Sequence, residues 1–255
     1  MKTTISKIPE ITFLFWAMKV CATTLGETAG DLLSMTMDVG YALSSLILIC
    51  FFLLSLIVQL KAKKYHPSLY WIVILTTSTA GTTISDYMDR TLGFGYLTGS
   101  LILVAMLVGL LSFWRITVGS ISVTEIKSLR VELLYWTAIL ISNTLGTALG
   151  DFLADDSGLG FAGGALLISS LIAVVVILNY TSALSKVILF WLAFVLTRPL
   201  GATVGDLLTK DISHGGLNLG TIGSSALLAA VLFALVAFTS HQGKRSLLTE
   251  AHSQK

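Results

Sequence analysis

Charged residues are scarce in this sequence. Asp, Glu, Lys and Arg make up 12% of its 255 residues, whereas a soluble domain usually contains about 25%. Hydrophobic residues make up 55%, and the mean hydropathy is +0.86. This composition excludes a water-soluble globular domain and predicts an integral membrane protein.

Cysteine and histidine are too few and too scattered to build the sites they commonly form. Cys21 and Cys50 both fall in apolar runs, which excludes a disulfide framework and a thiolate metal site. The four histidines show no ligand spacing. Because the sequence also has no paired nucleophile and base and no cofactor motif, we expect no enzyme and no cofactor. A bound cation remains compatible with the sequence.

Apolar runs of membrane-spanning length recur along nearly the whole chain, separated by short polar or charged segments. The first run is long enough to span and has no cleavage site, so we take it as a retained helix. We therefore predict an all-α membrane protein with eight transmembrane helices, over residues 11–33, 40–60, 69–87, 95–114, 131–153, 160–180, 187–208 and 219–240.

Most lysines and arginines fall on the side of the membrane that holds both predicted termini. The positive-inside rule places the N and C termini, including a tail at 241–255, in the cytoplasm. The loops on the opposite side are acidic, with Asp38, Asp89, Asp155, Asp156 and Asp211 against Arg90 and Lys210.

Four copies of one pattern align along the chain without a gap. The segments are FWAMKVCATTLGETAGD, YWIVILTTSTAGTTISD, YWTAILISNTLGTALGD and FWLAFVLTRPLGATVGD. In each, a tryptophan precedes a glycine by 10 residues and an aspartate by 15. The tryptophans are Trp16, Trp71, Trp136 and Trp191, and the aspartates are Asp31, Asp86, Asp151 and Asp206. Their intervals of 55, 65 and 55 residues also divide the chain into two halves offset by 120 residues.

A further glycine opens the second helix of each unit, at Gly40, Gly95, Gly160 and Gly220. The longer spacing before Gly220 indicates a five-residue insertion in the last unit. The units cover approximately residues 11–60, 69–114, 131–180 and 187–240. Because each unit has two spans, all four are parallel repeats. We predict a bundle with pseudo-fourfold symmetry, or a twofold arrangement of pairs, with the four Trp-to-Asp helices inside.

The fourfold W-x9-G-x4-D pattern resembles the bacterial membrane proteins built from four tandem copies of a repeat of unknown function, often labelled uncharacterised membrane-anchored proteins. The resemblance covers about residues 11–240. One departure is Ser85, which stands where the other units have a glycine before the aspartate. The resemblance implies the eight-helix fold and a place in the bacterial inner (plasma) membrane, and it implies no function.

One face of each predicted inner helix is polar. Positions four and eight residues before an aspartate share its face, and they hold Glu27 and Thr23, Thr82 and Ser78, Thr147 and Asn143, and Ala202 and Arg198. Beside this face lie small residues that allow close helix packing in a bilayer. These are Gly26 and Gly30, Gly81 and Ser85, Gly146 and Gly150, and Gly201 and Gly205. We therefore expect the polar faces to meet around one axis.

Three more charges lie between the tryptophan and the aspartate of the predicted inner helices: Lys19, Glu27 and Arg198. An intramembrane charge costs roughly 2.5–3.5 kcal/mol, and the first and last units are neighbours in a closed ring. We therefore expect Glu27 and Arg198 to pair, and with Lys19 to act as an asymmetric gate; a purely structural pair is the alternative. Together with the four aspartates, these residues leave a formal net charge of minus three.

This arrangement favours a transporter for a small cation, either a divalent-metal exporter or a proton exchanger. Carboxylates crowded around one axis cannot all ionise unless a cation joins them, so such a ring exchanges protons for cations. Its oxygen donors suit Mg²⁺, Mn²⁺, Ca²⁺ or a monovalent ion. The predicted ion-binding residues are Asp31, Asp86, Asp151, Asp206, Glu27, Thr23, Ser78 and Asn143.

Other interpretations stay open. The aspartates could contact only loop backbone at the helix ends, and the protein could be a channel, a carrier for a small organic solute, or a scaffold. In the carrier, Lys19 and Arg198 would contact a carboxylate or phosphate. The four tryptophans are expected to anchor the helices at the membrane interface, with substrate stacking as the alternative. We expect lipid and a cation or proton as partners, and no nucleic acid.

Overall fold

The computed structural model describes residues 8–123, 126 and 128–253, with side chains as far as residue 241. Over these residues the chain forms eight α-helices, so the predicted all-α fold is confirmed. They are α1 (Phe13–Asp31), α2 (Tyr41–Lys61), α3 (Pro67–Asp86), α4 (Tyr96–Val118), α5 (Leu129–Asp151), α6 (Gly160–Thr181), α7 (Lys186–Thr209) and α8 (Thr221–Ser253). Residues 1–7, 254 and 255, at the predicted cytoplasmic termini, lie outside the described residues.

Local sequence signals set where the inner helices begin. The side chain of Thr12 caps α1 by accepting a hydrogen bond from Phe15 N at 3.3 Å. Ser128 caps α5 by accepting one from Val131 N at the same distance. Pro67 is the first residue of α3. An N–H at this position makes no hydrogen bond within the helix, so proline, which lacks the N–H, is well tolerated.

The turn between the two helices of a unit also repeats. In the first three units the inner helix continues into one π-helical turn, at Leu32–Thr36, Tyr87–Thr91 and Phe152–Asp156. The glycine before the outer helix then has a positive φ, with values of 78°, 71°, 66° and 72° at Gly40, Gly95, Gly160 and Gly220. Residues with a Cβ atom rarely adopt this conformation, which accounts for the second repeated glycine. In the fourth unit a 3₁₀ turn, Ile212–His214, lies in the loop where the insertion was predicted.

The odd-numbered helices form a closed inner ring. Helix α1 contacts α3, α3 contacts α5, α5 contacts α7, and α7 contacts α1. Each even-numbered helix lies outside, against the inner helix of the next unit: α2 on α3, α4 on α5, α6 on α7, and α8 on α1. Each unit therefore covers its neighbour, and α8 completes the circle.

The glycine ten residues after each tryptophan brings two inner helices close together. A Cβ atom on Gly26 would lie 2.2 Å from Ser78 Oγ, and one on Gly146 would lie 2.3 Å from Arg198 Cγ. The complete set of contacts is Gly26 with Ser78, Gly81 with Asn143, Gly146 with Arg198, and Gly201 with Thr23. Because the same contact occurs between all four pairs of neighbours, the packing of the ring is pseudo-fourfold.

The second small position packs in the same way one turn further along. Its contacts are Gly30 with Thr82, Gly150 with Ala202, and Gly205 with Glu27. Ser85, at this position in the second unit, is fully buried and donates a hydrogen bond to Asp89 at 3.3 Å. Small residues thus set the helix spacing at two levels of the ring.

Three of the four tryptophans belong to the packed interior. The prediction that they anchor the helices at the membrane interface is wrong for Trp71, Trp136 and Trp191, which are at most 4% exposed; Trp16 is half-buried. Each contacts an aromatic ring of the preceding unit, with centroids 5.6 to 6.4 Å apart. The pairs are Phe15–Trp71, Tyr70–Trp136, Tyr135–Trp191 and Phe190–Trp16. The close helix spacing directs these rings toward the neighbouring helix and not toward lipid headgroups.

Six of the described helices are long and apolar enough to cross a membrane: α2, α4, α5, α6, α7 and α8. In the four outer helices only 17% to 22% of the apolar window is buried inside the protein. Most of their apolar surface therefore faces outward, as expected of a membrane protein. This finding covers six of the eight predicted spans, because the more polar α1 and α3 are not among the six.

Candidate functional site

One residue from each inner helix meets at the centre of the ring. Arg198 Nη1 on α7 donates to Glu27 Oε2 on α1 at 2.8 Å, and the two side chains are 0% and 3% exposed. Arg198 Nη2 donates to the hydroxyls of Thr82 on α3 and Thr147 on α5, at 2.6 and 2.7 Å. Both hydroxyls also lie 3.3 Å from Glu27 Oε2. The predicted Glu27–Arg198 pair is present, and it lies at the centre of the bundle and not only at the junction of the first and last units.

The four aspartates lie one helical turn beyond this central cluster. All are 2% to 4% exposed: Asp31, Asp86, Asp151 and Asp206. They are held in two pairs by two basic side chains. Lys210 Nζ lies 2.8 Å from Asp31 Oδ2 and 3.2 Å from Asp206 Oδ1. Arg90 contacts Asp86 through Nε at 3.1 Å and Asp151 through Nη2 at 3.2 Å.

Arg90 and Lys210 are equivalent by the 120-residue repeat. Each follows an aspartate of its own unit by four residues and joins that aspartate to one of the next unit. At this level the ring is therefore a twofold arrangement of pairs. Arg90 is further held by Tyr41, whose hydroxyl accepts from Nη1 at 3.3 Å, and by the ring of Tyr96, 5.6 Å from its guanidinium carbon. Among the described residues, Lys210 Nζ makes one further polar contact, with the sulfur of Met35 at 3.9 Å.

These two cations change the predicted electrostatics. The sequence alone places both residues in the outer loops, which leaves the interior with a predicted net charge of minus three. When Arg90 and Lys210 are added to the same residues, five carboxylates are counted against four basic side chains, and the formal net charge is minus one. The correction follows from the helical step of four residues, which returns each basic side chain to the face of its own aspartate.

Both cations stay protonated at neutral pH. Burial alone would lower the pKa of the Lys210 ammonium group, but the carboxylates of Asp206 and Asp31 outweigh burial and raise that pKa above its ordinary value. For Arg90, Asp86 and Asp151 likewise overcome the effect of burial and raise the pKa. Over the physiological range each pair of aspartates is therefore accompanied by one positive charge and keeps a formal net charge of minus one.

The Lys210 half of the ring contains an additional carboxylate. Oxygen atoms of Glu27, Asp31 and Asp206 lie within 4.8 Å of one another, and all three residues are buried. Oxygen ligands on opposite sides of a Ca²⁺ ion are about 4.6–5.2 Å apart, and those of Mg²⁺ about 4.0–4.2 Å. The three carboxylates are thus spaced closely enough to bind one hard cation.

Three other predicted ligands are not brought into this cluster. Thr23 Oγ1 donates to Thr197 O at 3.1 Å, and Asn143 Nδ2 donates to Thr77 Oγ1 at 3.0 Å. Ser78 Oγ has no hydrogen-bond partner in the part of the chain that the structure describes. These residues precede the aspartates by eight positions, about 12 Å along a helix, which is too far for a shared ion. The prediction that Thr23, Ser78 and Asn143 join the aspartate site is wrong.

Lys19 is separate from both the central cluster and the aspartates. Its side chain is 0% exposed, and Nζ lies 4.2 Å from the centroid of the Phe194 ring. Within the described residues, Nζ has no hydrogen-bond partner. The equivalent residues of the other units are Ile74, Ile139 and Phe194. Lys19 therefore places an ammonium group at an otherwise apolar level of the ring.

Four residues of the site were not selected from the sequence: Arg90, Lys210, Thr82 and Thr147. The sequence could have predicted the two cations, because each stands four residues after a repeated aspartate and the two are 120 residues apart. The two threonines were placed on the polar face but not assigned to the site. Both occupy the repeat position of Glu27, but their hydrogen bonds with Arg198 depend on how the helices pack, which the repeat pattern does not give.

The fold and site define a membrane protein built from four tandem two-helix repeats around a buried charged core. A sequence model described as Repeat of Unknown Function (DUF347) matches residues 14–65, 69–120, 134–184 and 189–244. The chain belongs to this repeat family, which confirms the resemblance found in the sequence. Comparisons with curated proteins and with solved structures give no match.

Proposed function

We propose that this protein transports a small cation across the membrane and that Glu27, Asp31 and Asp206 bind the ion. The observation that carries the proposal is the buried cluster of these three carboxylates, whose oxygens lie within 4.8 Å of one another. Carboxylate oxygens favour hard ions such as Mg²⁺, Mn²⁺ and Ca²⁺, or a proton in their place.

The position of Lys210 supports an exchange mechanism. Its ammonium group bridges Asp31 and Asp206, where a transported cation would also bind. Lys210 is 26% exposed and follows the end of α7, so its side chain can leave the aspartates without disturbing the ring. In this mechanism the cation displaces Lys210, and Lys210 returns when the ion departs.

The Arg90 half of the ring has a different role in this proposal. Arg90 contacts two aspartates and two tyrosines, so it is held more firmly than Lys210. No third carboxylate corresponds to Glu27 in that half, because Thr147 occupies the repeat position. We propose that Asp86 and Asp151 keep the Arg90 half of the ring fixed while the Lys210 half exchanges its cation.

The same proposal includes eight spans in a bacterial inner membrane, with both termini in the cytoplasm. Helices α1 and α3 are equivalent by the repeat to α5 and α7, which are long and apolar enough to cross. Their charged and polar residues are buried against other helices and not directed at lipid. The excess of basic residues on the side of the termini supports the orientation.

Flux into vesicles tests the proposal. Purified protein in liposomes, with an internal metal-sensitive dye, should admit Mn²⁺ or Ca²⁺, and D31N and D206N should each abolish that flux. D156N is the matched control, because Asp156 is an exposed aspartate beyond the end of the ring, and it should transport normally. Unchanged flux in D206N, or no flux in the wild-type protein, would reject the proposal. Thermal unfolding of each variant shows that lost flux is not lost folding.

A carrier for a small organic anion is the second candidate, and Lys19 favours it. A fully buried ammonium group without a hydrogen-bond partner among the described residues could receive a substrate carboxylate. This candidate predicts uptake of an anionic solute that is lost in K19I and retained in D206N. The cation transporter predicts the opposite dependence for D206N.

A further inference from the structure

Two outer grooves of the protein are equivalent by the repeat. One lies where α6 approaches α1 and α7 and has a volume of about 640 Å³. The other lies between α8 and α3 and has a volume of about 450 Å³. The inner helix lines the first with Phe13, Trp16 and Val20, and the second with the equivalent Ser68, Trp71 and Leu75. Both volumes lie in the range of about 300–1,000 Å³ that is usual for ligand sites.

The walls of both grooves are mostly apolar. In the larger groove α6 contributes Ile172, Val175 and Val176, and in the smaller groove α8 contributes Ala229, Leu232 and Phe233. These outer helices belong to the surface that faces away from the protein, so both grooves open toward the surrounding bilayer in a membrane protein. A hydrocarbon chain matches this lining better than a polar solute does.

The two grooves differ at the end where the tryptophan lies. The larger groove ends at Lys186, Tyr180 and Thr12, which offer an ammonium group and two hydroxyls. Lys186 is exposed, and its ammonium group donates to the backbone oxygen of Asn179. An ammonium group has three donors, so two remain for another acceptor. The repeat position of Lys186 before α1 is Ile11, so the smaller groove lacks this lysine and is lined by Ser240 and His241.

We propose that the groove between α1, α6 and α7 binds one anionic phospholipid. An acyl chain lies along Trp16 and Val175, and the phosphate accepts hydrogen bonds from Lys186. The positive charge of Lys186 at the end of a long, mostly apolar groove is the complement of an anionic headgroup joined to a hydrocarbon tail. This inference does not depend on transport, because it concerns the outer surface and not the interior of the ring.

Fluorescence quenching by brominated lipids tests the site. Full-length protein in mixed micelles is titrated with phosphatidylglycerol or phosphatidylcholine that carries bromine on the acyl chains. Wild-type protein should show a saturable quenching component for phosphatidylglycerol. That component should be absent in W16F and present in W71F, because Trp16 and Trp71 line the larger and the smaller groove, respectively.

The headgroup contact is tested at Lys186. K186Q should weaken the binding of phosphatidylglycerol about fivefold, the usual effect of one basic residue near an anionic membrane, and leave phosphatidylcholine unaffected. K186R should bind as the wild-type protein does, which separates the loss of charge from a change of shape. Equal quenching by the two lipids, an unchanged affinity in K186Q, or loss of the component in W71F instead of W16F would each overturn the proposal.

Discussion

The guanidinium group of Arg198 and the carboxylate of Glu27 lie 2.8 Å apart where all four inner helices meet. The hydroxyls of Thr82 and Thr147 bond to both groups, so one buried network joins α1, α3, α5 and α7. A buried ion pair adds little net stability, because desolvation offsets the attraction. The network fixes the register of the four helices, because each hydrogen bond forms only when its two residues lie at the same level along the axis of the bundle.

Removing one member of this pair should cost more than removing both. R198S leaves Glu27 buried without its cation, and we expect it to lower the free energy of unfolding by about 3–5 kcal/mol. The double variant E27T/R198S places residue types found at the equivalent positions of other units, and it should recover part of that loss. Denaturant unfolding in detergent measures both, with E27T as the second single variant. Losses that simply add in the double variant would contradict a coupled pair.

Replacing Lys19 should stabilise the protein. K19I introduces the residue found at the same level in α3 and α5, and it removes an ammonium group that has no hydrogen-bond acceptor among the described residues. We expect the free energy of unfolding to rise by about 1–3 kcal/mol. The reciprocal variant I74K, which would add a second ammonium group at this level, should destabilise the protein. Lower stability in K19I would show that Lys19 has a partner in the folded protein.

The repeated glycine should not tolerate even a methyl group. G26A places a Cβ atom 2.2 Å from Ser78 Oγ, and we expect a loss of about 1–3 kcal/mol in the free energy of unfolding as α1 and α3 separate. G109A is the control, because Gly109 on α4 is exposed and a Cβ atom there would meet nothing within 4 Å. That variant should be neutral or more stable by up to about 1 kcal/mol. Equal stability of G26A and wild type would contradict the close contact.

Lys210 should stabilise the fold without pH dependence around neutrality. Its pKa is raised in the folded protein above the ordinary value of 10.5. The contribution is therefore complete below about pH 10 and is lost only as the pH rises through the higher pKa of the folded state. The difference in thermal midpoint between wild type and K210M should stay constant from pH 7 to pH 9. A difference that shrinks over this interval would show that the ammonium group is not held by Asp31 and Asp206.

Much of the architecture was predictable because the repeat fixes it locally. A tryptophan, a glycine and an aspartate at constant spacing identified the four inner helices, and the glycine with positive φ marked the start of each outer helix. The Glu27–Arg198 pair was also predictable, since two opposite charges in adjacent units of a closed ring have few other partners. The burial of Trp71, Trp136 and Trp191 was not, because a tryptophan near a helix end suits a lipid interface and a helix contact equally well.

The sequence by itself determined the number of helices, their repeat and which face of each is polar, because hydrophobic periodicity and glycine geometry act over a few neighbouring residues. Only the tertiary structure decided which polar side chains meet. It placed Arg90 and Lys210 between aspartates of successive units and left Lys19 among apolar neighbours. These outcomes depend on distances between residues far apart in the chain, and helix spacing and rotation set those distances.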